Sequence, residues 1–271
     1  MSVLSKSEPF SAFPHNISRH IRYVFSDLDD TITTHGRLLP ETYQAVCDLT
    51  QAGIKVIVVT GGPGGWCDCI ARMWPVFAVV GESGSFYMHK DSFSKRILTR
   101  EFVLQIEREA YIKRLSELKG SVLRRFPGIC LSSDQFSRIF DLAIEIDSIC
   151  DPKEIGNCDR FREVVEYLID QGLTVKTSSI HINAHWGNWD KLSSTRAMIR
   201  ELMNKELEDI VEESAFIGDS LNDETMFEFF KHTVGVSNIA NFESSLVHRP
   251  KWVTNADRGA GFAEFANILL S

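Results

Sequence analysis

The stretch Arg22-Tyr23-Val24-Phe25-Ser26-Asp27-Leu28-Asp29-Asp30-Thr31 is a short apolar run that ends abruptly in carboxylates. A strand buried on both faces of a parallel sheet reads as a continuous apolar run, and ligands of open α/β sheets bind beyond the carboxyl ends of such strands. Working outward, Pro40 to Gln51 has helical character, with Pro40 near its start and Gly53 at its stop. Ile54 to Val59 is a second, β-branched run. It is followed by Gly61, Gly62, Gly64 and Gly65 and a helix around Trp66 to Met73. A third run, Val76 to Val80, ends at Gly81-Glu82-Ser83-Gly84. Strands alternating with helices in this way predict a parallel sheet with right-handed crossovers.

From about Met88 to His185 the pattern changes. A polar helical stretch (Thr99 to Arg125) precedes partial alternation over Ile139 to Asp147, a second helix over Pro152 to Gln171 stopped by Gly172, and an alternating strand over Leu173 to Ala184. The βα pattern resumes after Trp189. It gives a helix over Leu192 to Leu207, a strand over Ala215 to Gly218 running into Asp219, a helix over Leu221 to Lys231, a strand over Thr233 to Val236, and a last strand and helix within Trp252 to Leu270. The expected architecture is therefore an α/β core of residues 21–87 and 187–271, interrupted by an α+β unit of residues 88–186 and preceded by a flexible leader of residues 1–20.

At 271 residues, 44% hydrophobic and 24% charged, the chain has ample material for a core without disulfides or a structural metal. Its net charge of −8 does not suit it to a nucleic-acid backbone. No apolar run occupies the first twenty residues or reaches membrane length, so a membrane partner is not expected and a cytoplasmic location is. The six cysteines read mostly as small buried hydrophobes. Cys67 and Cys69 lack a second pair at zinc spacing.

Four polar sets lie at or just beyond strand ends: Asp27/Asp29/Thr31, Thr60 with its glycines, Lys191, and Asp219/Asn222/Asp223. Two carboxylates two residues apart at a strand end can divide the labour of nucleophile and general acid–base. Adding Asp219 and Asp223 crowds too much negative charge into one cleft, which a hard divalent cation such as Mg²⁺ resolves. Thr60 offers a hydroxyl, Gly61 and Gly62 offer backbone N–H groups, and Lys191 offers a positive charge. Together they suit a phosphoryl group.

Asp27-Leu28-Asp29-Asp30-Thr31 resembles the first motif of the haloacid dehalogenase (HAD) superfamily of phosphohydrolases. Val59-Thr60-Gly61 resembles the second, Lys191 the third, and Gly218-Asp219-Ser220-Leu221-Asn222-Asp223 the fourth. The resemblance covers the Rossmann-like core on both sides of the insertion, and the insertion is similar to the C2 cap of the IIB branch (Cof-like, sucrose-phosphate, trehalose-phosphate and mannosyl-phosphoglycerate phosphatases). It implies that Asp27 is the nucleophile forming an aspartyl-phosphate, and that Asp29 protonates the leaving alcohol and later activates water. It implies that Thr60 and Lys191 hold the phosphoryl group. Mg²⁺ would be bound by Asp27, the Asp29 carbonyl and Asp219, supported by Asp223. Gly62 stands where many relatives carry Arg, and Asp30 where Gly is frequent.

Specificity is expected in the cap. The candidates are Ser179, His181, Asn183, Trp186 and Asn188, with Glu82 on the core side: His181 and Asn183 to hydrogen-bond sugar hydroxyls, Trp186 to stack on a sugar ring. The expected activity is a phosphatase for a small phosphorylated metabolite, a sugar phosphate first. Asn183 to Lys191 is also similar to eukaryotic phosphomannomutase, so a phosphosugar mutase is the alternative. A non-enzymatic phospho-accepting module, similar to response-regulator receivers, is the remote one.

Overall fold

The strand that precedes Asp27, Tyr23–Ser26, is buried along its whole length and lies inside a nine-stranded sheet. The computed structural model describes residues 7–151, 156–178, 180–242 and 245–271. In chain order the strands are β1 (Glu8–Pro9), β2 (Tyr23–Ser26), β3 (Lys55–Val59), β4 (Ala78–Gly81), β5 (Phe86–Lys90), β6 (Ile97–Glu101), β7 (Leu142–Glu145), β8 (Thr174–Thr177), β9 (His181–His185), β10 (Ser214–Gly218), β11 (His232–Gly235) and β12 (Trp252–Val253). The helices are α1 (His15–Ser18), α2 (Pro40–Gln51), α3 (Gly64–Met73), α4 (Arg108–Arg125), α5 (Asp159–Asp170), α6 (Lys191–Met203), α7 (Glu224–Phe229) and α8 (Arg258–Leu270).

The large sheet runs β1-β12-β11-β10-β2-β3-β4-β5-β6, parallel from β1 to β4 and antiparallel over β5 and β6. Successive strand residues serve opposite faces, which is why the apolar runs are unbroken. Val24, Val56, Val79 and Ile217 pack with Val46 and Leu49 of α2 and Phe262 and Phe265 of α8. Phe25, Ile57, Val80 and Phe216 pack with Met198 and Ile199 of α6 and Met226 and Phe227 of α7. Because β2 has β3 on one side and β10 on the other, the chain leaves β2 in one direction and returns beside it. This is the topological switch at which a crevice opens beyond the strand ends.

The second sheet, β7-β9-β8, is antiparallel and carries α4 and α5 on one face. Leu142, Ile144, Ile182 and Ala184 point into that small core with Leu118, Val122, Val164 and Leu168. His181 and Asn183 therefore point the other way, toward the end of the large sheet.

Several expectations need correction. Residues 7–20 are not a loose leader: β1 pairs with β12, and Phe10 and Phe13 are buried in the core beside Phe265 and Trp252. The large sheet does not stop at residue 87. The β5–β6 hairpin extends it to Glu101, so residues 88–101 pair with the core. Consequently the polar helix starts at Arg108 rather than near Thr99. The helix expected from Pro152 starts at Asp159, and residues 152–155 lie outside those described. Leu173 to Ala184 holds two strands, β8 and β9, rather than one. Only Cys67 of the six free cysteines is buried, and Cys69 and Cys130 are exposed. Among the described residues, no helix is long and apolar enough to cross a membrane.

Candidate active site

Asp27 lies one residue beyond β2 and its backbone N–H continues the parallel ladder, donating to the Ile217 carbonyl at 3.0 Å. Asp219 lies one residue beyond β10. Because β2 and β10 are adjacent and in register, the two carboxylates are brought together by the sheet itself. Lys191 enters from the first turn of α6, where Asp190 caps the helix by accepting from Ser193 N–H at 2.7 Å. Its Nζ donates to Asp27 Oδ1 at 2.6 Å, Asp223 Oδ1 at 2.7 Å and the Asn222 side-chain oxygen at 3.0 Å. The other oxygen of Asp223 accepts from the backbone N–H groups of Asp219 and Ser220 at 3.0 and 3.3 Å. Asp223 thus braces the loop that carries Asp219.

Charge is the dominant feature of this cluster. One ligand atom each from the buried carboxylates of Asp27, Asp219 and Asp223 can be chosen so that all lie within 4.8 Å of one another. Lys191 is the cation placed among them. Burial opposes its ammonium, but Asp223 and Asp27 outweigh that and hold it protonated. Burial pushes Asp27 up to about 7, Lys191 pulls against this, and Asp223 and Asp29 add to it. Burial, then Asp27 and Asp223, push Asp219 well above the carboxylate range. Three buried carboxylates beside one ammonium carry excess negative charge, which a hard cation with oxygen ligands relieves. The donor set fits Mg²⁺. The Asp29 side chain is not part of this group. Its carboxyl is raised chiefly by burial, with His181 and Arg138 pulling it down.

The Thr60 hydroxyl is buried and accepts from Gly62 N–H at 2.8 Å, which leaves its own proton to donate. Gly61 lines the cleft with Asp27, Asp29, Asp219, Ser220, Asn222, Ser178, His181 and Asn183. Gly62 has no room to spare: an added Cβ would lie 3.1 Å from Thr60 Oγ1. Asp30 adopts the left-handed backbone (φ 56°) that explains glycine there, and Arg258 ion-pairs with it at 3.1 Å.

On the inserted unit, His181 and Asn183 reach the cleft as expected. His181 Nε2 lies 3.2 Å from Glu145 Oε2, and Asn183 Nδ2 donates to Asp141 Oδ2 at 2.7 Å. Trp186 does not reach it. Beyond the end of β9 its ring meets Tyr111 edge-on, lies under the Arg114 guanidinium, and donates to the Gln171 carbonyl at 3.0 Å. Asn188 is exposed and is not among the residues lining the cleft. Ser179 lies outside the described residues. Glu82 does not face substrate space at all. It is fully buried, and its carboxylate accepts from Gly64 N–H at 2.9 Å, Ile139 N–H at 2.8 Å, Phe140 N–H at 2.6 Å and Asp141 N–H at 3.2 Å. Both Glu82 (φ 44°) and Ser83 (φ 54°) are left-handed, a conformation costing of order 1–3 kcal/mol per non-glycine residue.

Three contributors were missed. Ser178 and Ser220 line the cleft. Asn238 donates to Asp219 Oδ2 at 3.0 Å and to the Asp30 carbonyl at 3.1 Å, so it ties the two acidic loops together. It lies just beyond β11, and the same strand-end rule that picks out Asp219 would have found it.

Similar solved structures share this arrangement of elements. The C-terminal domain of trehalose-6-phosphate phosphatase from C. albicans aligns with a TM-score of 0.70 at 14% identity, covering 98% of this chain and 99% of that one. Sucrose-phosphatase from Synechocystis, in complex with sucrose and phosphate, aligns at 0.60 and 15% identity, covering 93% and 98%. A haloacid dehalogenase-like hydrolase from Bacteroides thetaiotaomicron aligns at 0.61 and 14%, covering 91% and 98%. No protein-family model and no curated protein matches the chain. The likeness is one of fold: a mostly parallel α/β core carrying an inserted α+β unit.

Proposed function

We propose that this chain is a Mg²⁺-dependent phosphomonoesterase for a small phosphorylated sugar, with Asp27 as the nucleophile. The observation that carries the reading is the convergence of Asp27, Asp219, Asp223 and Lys191 at the adjacent ends of β2 and β10, with Lys191 Nζ 2.6 Å from Asp27 and 2.7 Å from Asp223. Asp27, Asp219 and the loop braced by Asp223 would hold the cation. When bound, Mg²⁺ supplies charge neutralisation for the phosphoryl oxygens and the attacking carboxylate.

The chain's own groups then do the following. A carboxylate oxygen of Asp27 attacks phosphorus, and the bond from phosphorus to the ester oxygen breaks. Asp29, whose burial favours its protonated form, gives its proton to the departing oxygen. In the second half Asp29 takes a proton from water as that water attacks phosphorus, and the bond from phosphorus to Asp27 breaks to release inorganic phosphate. Lys191 and the Thr60 hydroxyl hold the phosphoryl oxygens. His181, Asn183 and Ser178 offer hydrogen bonds to a polyol and line the cleft without a large apolar surface, which suits a sugar. In a mutase, the phosphoryl group would pass from Asp27 to a sugar hydroxyl instead of water.

The test is phosphate release from a panel of sugar phosphates, with and without Mg²⁺, for wild type and Asp27→Asn. Release that requires both Mg²⁺ and Asp27 is expected, with the variant down by about 10⁴-fold or more. Release independent of Asp27 would overturn the assignment. Isomerisation without release would favour the mutase, and a stable phospho-form without turnover would favour the phospho-accepting module.

A further inference from the structure

The four N–H groups that converge on Glu82 come from two different parts of the molecule. Gly64 opens α3, directly after the Thr60–Gly62 loop, whereas Ile139, Phe140 and Asp141 belong to the inserted unit where it rests on the core. The loop also reaches Glu82 through the backbone: Glu82 N–H donates to the Gly62 carbonyl and Ser83 N–H to the Thr60 carbonyl, both at 3.1 Å. On the far side, Arg138 donates to the Asp141 carboxylate at 3.0 Å and to the Gly61 carbonyl at 2.9 Å. Asp141 in turn accepts from Asn183 at 2.7 Å, and Asn183 faces the cleft. A continuous buried chain of hydrogen bonds therefore runs from the phosphate loop, through Glu82, to the wall that would read the sugar.

The cleft between these walls is narrow, with about 10 Å³ of room for water. Lifting the inserted unit from the core to admit a sugar phosphate would pull Ile139–Asp141 from Glu82. Among the described residues, no other donor reaches the Glu82 carboxylate from the inserted unit. The strained Glu82–Ser83 turn is held at its backbone by the Gly62 and Thr60 carbonyls.

We propose that Glu82 is a positioning residue that couples seating of the inserted unit to the geometry of the phosphate loop. This rests on the phosphatase reading above. When the unit seats, Ile139–Asp141 fix the Glu82 carboxylate, and Gly64 and Gly62 are fixed with it. When the unit lifts, the loop loses the Arg138 bond to the Gly61 carbonyl and is left with a Glu82 carboxylate freed on its other side. Burial and then Asp141 push the Glu82 carboxyl up to about 8, and the Ile139 and Phe140 N–H groups pull it back; with four donors on its two oxygens, the geometry selects the acceptor-only carboxylate. In Glu82→Gln, whichever way the amide turns, its NH₂ faces one pair of N–H donors.

The experiment compares wild type and Glu82→Gln by amide hydrogen exchange and steady-state kinetics. Exchange at Gly64 and at Ile139–Asp141 should both rise about tenfold, the equivalent of one lost hydrogen bond of about 1.4 kcal/mol. Turnover of 4-nitrophenyl phosphate should fall about tenfold as well, because the loop itself is affected. Faster exchange at Ile139–Asp141 alone, with Gly64 and 4-nitrophenyl phosphate turnover at wild-type values, would overturn the coupling. If Glu82→Gln does not fold, wild type decides: inorganic phosphate with Mg²⁺, bound at the loop, should slow exchange at Ile139–Asp141, and unchanged exchange would overturn the proposal. Slowed exchange in a protein that releases no phosphate from any ester would sink the phosphatase reading while leaving the coupling intact.

Discussion

On the core wall of the cleft, Asp27 and Asp219 each sit one residue past a buried parallel strand, and β2 and β10 are hydrogen-bonded neighbours. Moving either carboxylate means breaking the ladder. On the opposite wall, His181 and Asn183 sit on a three-stranded sheet and are each held by one carboxylate, Glu145 and Asp141. The proposed chemical groups are thus placed by the backbone of the fold, whereas the proposed recognition groups are placed by individual side-chain contacts. The first kind of placement tolerates almost nothing, and the second can be rebuilt one residue at a time.

The largest break in this comparison should come from Lys191→Met. It leaves Asp27 and Asp223 facing each other in a buried site without their shared ammonium. Removing one partner of a buried ion pair costs about 3–5 kcal/mol. Urea denaturation should show a loss of that order, and hydrolysis of sugar phosphates and 4-nitrophenyl phosphate should fall together. Wild-type stability in this variant would mean that the Lys191 contacts are not formed in solution.

A smaller effect should sharpen the comparison from the other wall. His181→Ala and Asn183→Ala should each raise KM for the preferred sugar phosphate about tenfold, the worth of one lost hydrogen bond. Hydrolysis of 4-nitrophenyl phosphate should change far less in either variant. Trp186→Phe, by contrast, should leave both substrates untouched, because that ring packs on Tyr111 and Arg114 away from the cleft. A sugar-specific defect in the Trp186 variant would show that the inserted unit rearranges when substrate binds.

The same contrast explains what could be read from the sequence. The positions of Asp27 and Asp219 follow from local rules, because apolar runs mark buried parallel strands and site residues come next. His181 and Asn183 follow from alternation along one strand. Trp186 did not, because β9 ends at His185 and alternation ends with it; its neighbour Tyr111 is 75 residues upstream. Glu82 was read as facing substrate because it follows an apolar strand. Its true partners, Ile139 to Asp141, are 57 to 59 residues away and carry no local signal. The β5–β6 hairpin was missed because Ile97–Glu101 is a half-exposed edge without a continuous apolar face.

The proposed role of Asp27 is to carry the phosphoryl group. It is tested most directly by mixing Asp29→Asn with 4-nitrophenyl phosphate and Mg²⁺, quenching in acid, and mapping the protein by mass spectrometry. The nitrophenolate leaving group needs no proton, whereas release of phosphate from the enzyme needs Asp29 to activate water. The expected result is a burst of one nitrophenolate per chain and the added mass of one phosphoryl group on the peptide bearing Asp27. A phosphoryl group on another residue, or steady turnover with neither burst nor labelled Asp27, would contradict it.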